Sequence, residues 1–322
     1  MKKTMLLTTL AFTAMTLAGC GGSGKTKIGI LQFGSFAALE AAKRGFVETL
    51  EKSSVKDRIE IEVKDAAANS ANNSSMAASL ASTKDFLYGI ATPSASALKN
   101  SVGSLGWATP IVFSAVTDPV GAKLLTNDKA PEGNCTGVSD LGPIAEELEI
   151  LTRFPGVDNI VSLYSASEVN SVYQVNIAEK WMTEHNITFS RKAITDAKEI
   201  EGALAAISAD VDAVFIPTDD TIANSMNSVK IANDARPDKL LIASCDVGMI
   251  GGSIIAMGVD YYQCGVQAAN MAEKIISKKA TVREIPVETC TSSEIKINKT
   301  WADSLGIVIP DTVLNIPGAV IV

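Results

Sequence analysis

The sequence holds a single histidine, His185, among 322 residues. One imidazole leaves little room for a Ser-His-Asp or Cys-His catalytic site, although carboxylate and lysine chemistry survive that argument. His185 follows a helical stretch among polar residues and reads as a surface residue. Aromatic residues make up only 5% of the chain, fewer than a site that stacks sugar rings usually offers. Basic residues are outnumbered, 28 against 36 acids, for a net charge of -8. A general nucleic-acid binder needs clustered positive charge, so that class is set aside. Beyond the first twenty residues no apolar run approaches the ~20 residues of a membrane-spanning helix. The five cysteines include no CxxC pair and no zinc spacing. Cys135, Cys245, Cys264 and Cys290 permit three pairings; in a chain with this much core they read as free or partly buried thiols.

What is present begins at the N-terminus. Lys2 and Lys3 precede an uncharged run from Thr4 to Leu17, which ends in Leu17-Ala18-Gly19-Cys20. A basic start, a short apolar stretch and small residues before a cut describe a secretory signal. The Leu-Ala-Gly-Cys ending resembles the lipobox of bacterial lipoproteins, which implies cleavage before Cys20 and a lipid on that cysteine. Gly21-Gly22-Ser23-Gly24 then supplies a flexible tether. The expectation is residues 1–19 as signal, 20–26 as lipidated cysteine and tether, and an extracytoplasmic domain whose lipid is its sole membrane contact.

About 300 residues remain, enough for one large domain or two ordinary ones. With 47% hydrophobic residues, buried cores are expected and disorder is not. Apolar strand patterns alternate with helical ones: strands near 27–33, 59–63 and 86–91, helices near 39–50 and 74–83. The Ala-, Asn- and Ser-rich stretch 66–75 reads as a solvated loop and helix start. The second half repeats the scheme, with strands at 159–164, 187–194, 211–216 and 239–244 and helices at 169–182, 199–207 and 221–235. This rhythm predicts an α/β fold with parallel sheets covered on both faces. Two Rossmann-like lobes would enclose a cleft at the carboxyl ends of their strands, where ligands bind in open α/β sheets. Three interlobe crossings are expected near 138–140, 257–260 and 297–305. The first lobe is then 27–139 plus 262–296, and the second 140–261 plus 297–322; two independent α/β domains remain the alternative.

Several segments carry a family likeness. Ile90-Ala91-Thr92-Pro93, the run Ile111-Val112-Phe113-Ser114-Ala115-Val116-Thr117-Asp118-Pro119-Val120-Gly121-Ala122, and Thr136-Gly137-Val138-Ser139-Asp140 come in that order. Asn170-Ser171 with Gln174, Ile216-Pro217-Thr218-Asp219, and Gly258-Val259-Asp260-Tyr261-Tyr262 follow. Together they resemble the substrate-binding lipoproteins of ABC transporters related to tryptophan- and phenylalanine-binding proteins, over about 27–306. The resemblance implies a type I periplasmic-binding fold closing on an amino acid, aromatic (Trp or Phe), for delivery to an ABC permease. It implies no enzyme, cofactor, metal or nucleic acid. The chain departs from the family after the first strand, reading Phe33-Gly34-Ser35-Phe36-Ala37 where an acidic-His-Pro loop is common. A nucleoside- or sugar-binding lipoprotein on the same fold is the alternative.

A zwitterion needs donors for its carboxylate and an acid for its ammonium. Thr92, Ser94 and Ser96 open a helix whose free amides favour an anion, and Asn170 and Ser171 sit similarly in the second lobe; capping alone would also explain them. For the ammonium the candidates are Asp118, Asp140, Asp219 and Asp246, with Asp118 equally a turn former and Asp140 equally a hinge residue. Asp219 is expected to take the ammonium and Asp220 to face solvent. Phe33, Tyr164 and Tyr261 are candidates for stacking on a ring, though Tyr261 also suits core packing. Gln32, Ala115, Thr117, Ser139 and Thr218 complete the expected site.

Overall fold

The computed structural model describes residues 24–322. The signal segment and Cys20 lie outside the described residues. The first lobe opens with strands β1 (Thr26–Gln32), β2 (Ile59–Asp65), β3 (Phe86–Ile90), β4 (Ile111–Ser114) and β5 (Cys135–Ser139). Between them run helices α1 (Ala37–Lys52), α2 (Ser70–Ala81) and α3 (Thr92–Ser104). β3, β4 and β5 are buried at every position, as a sheet covered on both faces requires. β2 has the half-exposed alternation of the edge strand it is.

The second lobe carries α4 (Ile144–Thr152), β6 (Asn159–Ser165), α5 (Val169–Glu184), β7 (Thr188–Ile194), α6 (Ile200–Ala205) and β8 (Ala213–Ile216). It continues through α7 (Asp220–Ala223), α8 (Met226–Ala235), β9 (Leu241–Ser244) and β10 (Ile255–Val259). The single helix expected over 221–235 is therefore two. Asn224 and Ser225 interrupt it, and the Ser225 amide turns back to the Ile222 carbonyl at 2.8 Å, the local bonding by which such residues compete with helix.

The chain then returns to the first lobe as α9 (Tyr261–Ile276) and β11 (Glu288–Thr289). It ends in the second lobe as β12 (Ser293–Ile297), α10 (Lys299–Leu305), α11 (Asp311–Leu314) and β13 (Val320–Ile321). The first sheet runs β11-β5-β4-β3-β1-β2, all parallel. The second runs β13-β12-β10-β9-β8-β6-β7, with β10 and β12 its one antiparallel pair. The chain thus crosses between lobes after Ser139, at Asp260, and between Thr289 and Ser293. That third crossing precedes the 297–305 expected from sequence, because Ser293–Ile297 alternates with period two and pairs along β10. Residues 293–296 therefore belong to the second lobe, not the first.

One core fills the second lobe, and two cores lie on opposite faces of the first-lobe sheet. α1 and α9 cover one of those faces at unusually close range. A Cβ on Gly45 would meet the Tyr262 carbonyl oxygen at 2.1 Å, and one on Gly265 the Ala42 carbonyl oxygen at 2.0 Å. Glycine is what lets the returning segment lock onto the lobe where the chain began.

Candidate functional site

Both sheets present the carboxyl ends of their parallel strands to the space between the lobes. From the first lobe, β1 leads into Phe33 and Phe36, β3 into Thr92, and β4 into Ala115 and Thr117, all of which line the cleft. Ala91 and Ala115, which directly follow β3 and β4, have φ of 78° and 55°. Non-glycine residues rarely take that conformation, and two side by side at a cleft mark a backbone held in place by its surroundings. Thr92 opens α3, and Pro93 has no amide to offer. The first-turn amides of Thr92 and Ser94 have no partner within the helix.

From the second lobe, β6 leads into Glu168 and Asn170, β8 into Thr218, Asp219 and Asp220, and β9 into Asp246. Asp140 and Tyr261, at the first and second crossings, form the floor. A narrow inner pocket with about 20 Å³ of free space and a wider mouth of about 650 Å³ meet at Thr92, Asn170 and Asp220.

Asp219 is held by its own lobe. It caps α7, accepting from the Ile222 amide at 2.9 Å, and its other oxygen accepts from the Ser165 amide at 2.6 Å and the Ser171 hydroxyl at 2.8 Å. Burial and the neighbouring Glu168 nevertheless raise its carboxyl to about 7. Asp220 is the contrary case. It does not face bulk solvent, as expected from sequence, but lines both the deep pocket and the mouth. The residue after a capping aspartate points the other way, so Asp219 turns into the lobe and Asp220 into the cleft. Asp220 keeps part of its surface accessible, yet burial, followed by the charges of Glu168, Asp219, Asp140 and Asp246, pushes its carboxyl well above the ordinary range. Among the described residues no donor reaches that carboxylate. Of this close pair Asp220 holds the proton, because Asp219 already has three donors.

Glu168 secures the turn from behind: one oxygen accepts from the Asp220 amide at 2.9 Å, the other from the Thr221 amide at 2.9 Å and hydroxyl at 2.6 Å. Asn170 and Gln174 donate to the Thr218 carbonyl at 3.0 and 3.1 Å. The floor is similarly tied. Asp140 accepts from Thr117 and Tyr261, both at 2.9 Å, and burial still raises its carboxyl. Asp246 accepts from the Gly248 amide at 2.7 Å through one oxygen, and burial raises it to about 6. Among the described residues no three His, Cys, Asp or Glu side chains are grouped to hold a metal ion.

Of the residues expected at the site, Phe33, Thr92, Ser96, Ala115, Thr117, Asp140, Asn170, Thr218, Asp219, Asp246 and Tyr261 line the cleft. Six do not. Ser94 is buried and donates to Asn73 at 2.9 Å, and Ser171 donates to Asp219. Asp118 accepts from the Gly121 amide at 2.8 Å, the turn that precedes Lys123. Ser139 donates to the Thr117 carbonyl at 2.9 Å within the first crossing. Tyr164 lies within β6, across from Ala193. Gln32 is fully buried and donates to the Gly34 carbonyl at 2.7 Å. Sequence reasoning overlooked Glu168, Phe36 and the inward turn of Asp220; the first two carry no composition signal, whereas the third follows from the cap.

Residues 27–321 match the family described as ABC transporter substrate binding protein. The chain belongs to that family. Its members are solute-binding proteins that work outside the cytoplasm, not enzymes. A curated tyrosine-binding protein from Clostridioides difficile (strain R20291) is 34% identical over 277 residues, covering 84% of this chain and 78% of that protein. Among solved structures, an ABC domain in complex with L-Trp from Streptococcus pneumonia superposes with a TM-score of 0.83 at 30% identity, covering 92% of this chain and all of that one. The ligand-free, open structure of a substrate-binding protein with adhesive properties from Clostridium difficile superposes at 0.71 with 31% identity, covering 92% of this chain and 99% of that one. No helix among the described residues is long and apolar enough to cross a membrane.

Proposed function

We propose that this substrate-binding protein captures an aromatic amino acid whose ring carries a hydrogen-bond donor, tyrosine first and tryptophan second, for an ABC importer. The observation that carries the reading is the Asp220 carboxyl: crowded by other acids, without a donor among the described residues, and opposite a lobe whose cleft residues are all neutral. Such a group ionises when a cation brought by the ligand pairs with it. An α-ammonium on Asp220 sets the carboxylate toward Thr92 and the start of α3, where first-turn amides favour an anion. The ring then parts Phe36, Leu39, Ala115, Ala223 and Tyr261, whose pocket of about 20 Å³ widens to admit it. The second oxygen of Asp246, which has no donor among the described residues, awaits a phenol or indole donor. Phenylalanine would leave that oxygen unmatched. The names of the tyrosine- and L-Trp-binding relatives support the same class. A nucleoside or sugar brings no ammonium and leaves Asp220 uncompensated.

Calorimetry tests this with L-tyrosine, L-tryptophan, L-phenylalanine, N-acetyl-L-tyrosine and adenosine. Tyrosine or tryptophan should bind most tightly, and N-acetylation should cost at least one decade of affinity. Equal binding of the acetylated ligand, or preference for adenosine, would overturn the reading.

Attachment to the membrane is proposed through Cys20 alone, on the lipobox resemblance. Cys20→Ser should move the protein to the soluble fraction or leave its signal uncut; unchanged membrane retention of a processed mutant refutes the anchor.

A further inference from the structure

Two cysteines stand where the three crossings meet, away from the ligand chemistry. The Cys290 amide donates to the Ser139 carbonyl of the first crossing at 2.9 Å. Its thiol lies 3.4 Å from the Asp260 carbonyl of the second crossing and 3.6 Å from that of Ser292 in the third. The Asp260 amide in turn donates to Ser292 at 2.8 Å, and the Cys264 amide, in the first turn of α9, donates to the same Asp260 oxygen at 3.0 Å. One carbonyl oxygen therefore gathers the Cys264 amide and the Cys290 thiol, which sets the two cysteines side by side. Both are free thiols. Cys264 is fully buried and Cys290 retains exposed surface.

We propose that Cys264 and Cys290 form a dithiol site that closes to a disulfide in the oxidising extracytoplasmic space, clamping the second crossing to the third. The two cysteines have distinct parts in that exchange. The neighbouring Cys264 holds the Cys290 thiol below its ordinary range, and a thiolate with access to solvent is the attacking group. Contact with Cys290 and burial push Cys264 the other way. The co-reactant is a disulfide donor, either a small-molecule disulfide or the disulfide of a thiol oxidoreductase. Cys290 thiolate attacks one donor sulfur, forming a mixed disulfide and releasing the first donor thiolate. Cys264 then gives up its proton and attacks the Cys290 sulfur, releasing the second. Two protons and two electrons pass from the cysteine pair to the donor, which leaves as two thiols. The bridge closes a loop from 264 to 290 whose ends already share the Asp260 carbonyl oxygen.

The purified full chain tests this. It is incubated with oxidised glutathione, unfolded, alkylated and digested without reduction. The expected product links the Cys264 and Cys290 peptides, while Cys135 and Cys245 remain alkylated. The oxidised protein should melt about 5–10 °C above the reduced protein, since the cross-link restrains the unfolded chain. Cys290→Ser, a conservative change at a partly exposed position, should abolish both the link and the rise, and Cys135→Ser should abolish neither. Lasting glutathione on Cys290 beside an unmodified Cys264 overturns the proposal, as does a link to Cys135 or Cys245. A link formed without any rise in melting temperature overturns the clamp.

Discussion

Across the cleft, the first lobe presents Phe33, Thr92, Ser96, Ala115 and Thr117, while the second presents Asp219, Asp220 and Asp246 with Glu168 behind them. Both sets occupy loops that follow parallel strands, so the scaffold does not account for the contrast. The contrast lies in what each lobe does with its polar atoms. The first lobe offers helix-start amides, a hydroxyl and small side chains, a surface that carries no net charge. The second concentrates negative charge and commits its donors chiefly to two carboxylates, Asp219 and Glu168, with three each. What remains unmatched is Asp220. An asymmetric cleft of this kind orients a dipolar ligand before any specific contact is counted, because reversing the ligand would set a carboxylate against four acids.

The severest way to break the comparison is to remove the support inside the second lobe. Asp219→Ala strands the Ser165 amide, the Ser171 hydroxyl and the Ile222 amide, all buried. The expected loss of stability is about 3–5 kcal/mol, a fall in melting temperature of about 10 °C. A mutant that melts like wild type yet fails to bind would show that Asp219, not Asp220, meets the ammonium.

Asp220→Asn should do the reverse. It replaces a carboxyl that carries no charge until the ligand arrives and has no donor among the described residues, so the ligand-free melting temperature should hold or rise. Affinity for tyrosine should fall by about 1.5–3 kcal/mol, one to two decades, as a charge-assisted bond is lost. Calorimetry and melts on the two single mutants separate the roles: one damages the fold, the other the binding.

The same asymmetry makes pH a probe of one lobe only. Burial raises the carboxyls of Asp219, Asp220 and Asp246, to about 7 for the first and about 6 for the last. An acid raised on folding binds protons more tightly in the native state. Its stabilising contribution is therefore whole below the unfolded value near 4 and is lost as pH climbs through the raised value. The ligand-free protein should melt at progressively lower temperature between about pH 5 and 8. Tyrosine affinity should move oppositely, rising about tenfold over the interval as Asp220 releases its proton to solvent and its carboxylate pairs with the incoming ammonium. Asp220→Asn should flatten the affinity profile. A flat profile in the unmodified protein would remove the second lobe's charge from the mechanism.

Much of this was legible from sequence, and the failures have a common cause. The alternation of buried strands and amphipathic helices fixed two α/β lobes, and the loops after Ile90 and Ile216 both line the cleft. Position along the chain was readable; side-chain direction at a loop was not. Asp219 and Asp220 are chemically identical, and only the capping bond to Ile222 decides which one turns inward. Ser94 and Ser171 failed to reach the cleft for the same reason: Ser94, two positions after Thr92, and Ser171, one after Asn170, each turn to a different face of the helix from that neighbour. The third crossing was misplaced because the two residues of β11 give too weak a strand signal to show that the chain had already returned.

The smallest expected effect lies in the first lobe, and it sharpens the contrast most. Thr92 borders both the deep pocket and the mouth, and its hydroxyl has no partner among the described residues. Thr92→Val preserves shape and removes only that hydroxyl. If it donates to the ligand carboxylate alongside the first-turn amides of α3, its loss costs about 0.5–1.5 kcal/mol, between about twofold and tenfold in affinity. The amides remain, so binding weakens without being abolished. The slope of affinity against pH should survive intact, because nothing that titrates has changed. Ser94→Ala two residues on supplies the internal contrast. Ser94 donates to Asn73 away from the cleft, so its loss should lower the melting temperature and leave affinity alone. Should Ser94→Ala weaken tyrosine binding as much as Thr92→Val, the first lobe acts through the rigidity of α3 rather than through the hydroxyl at its start.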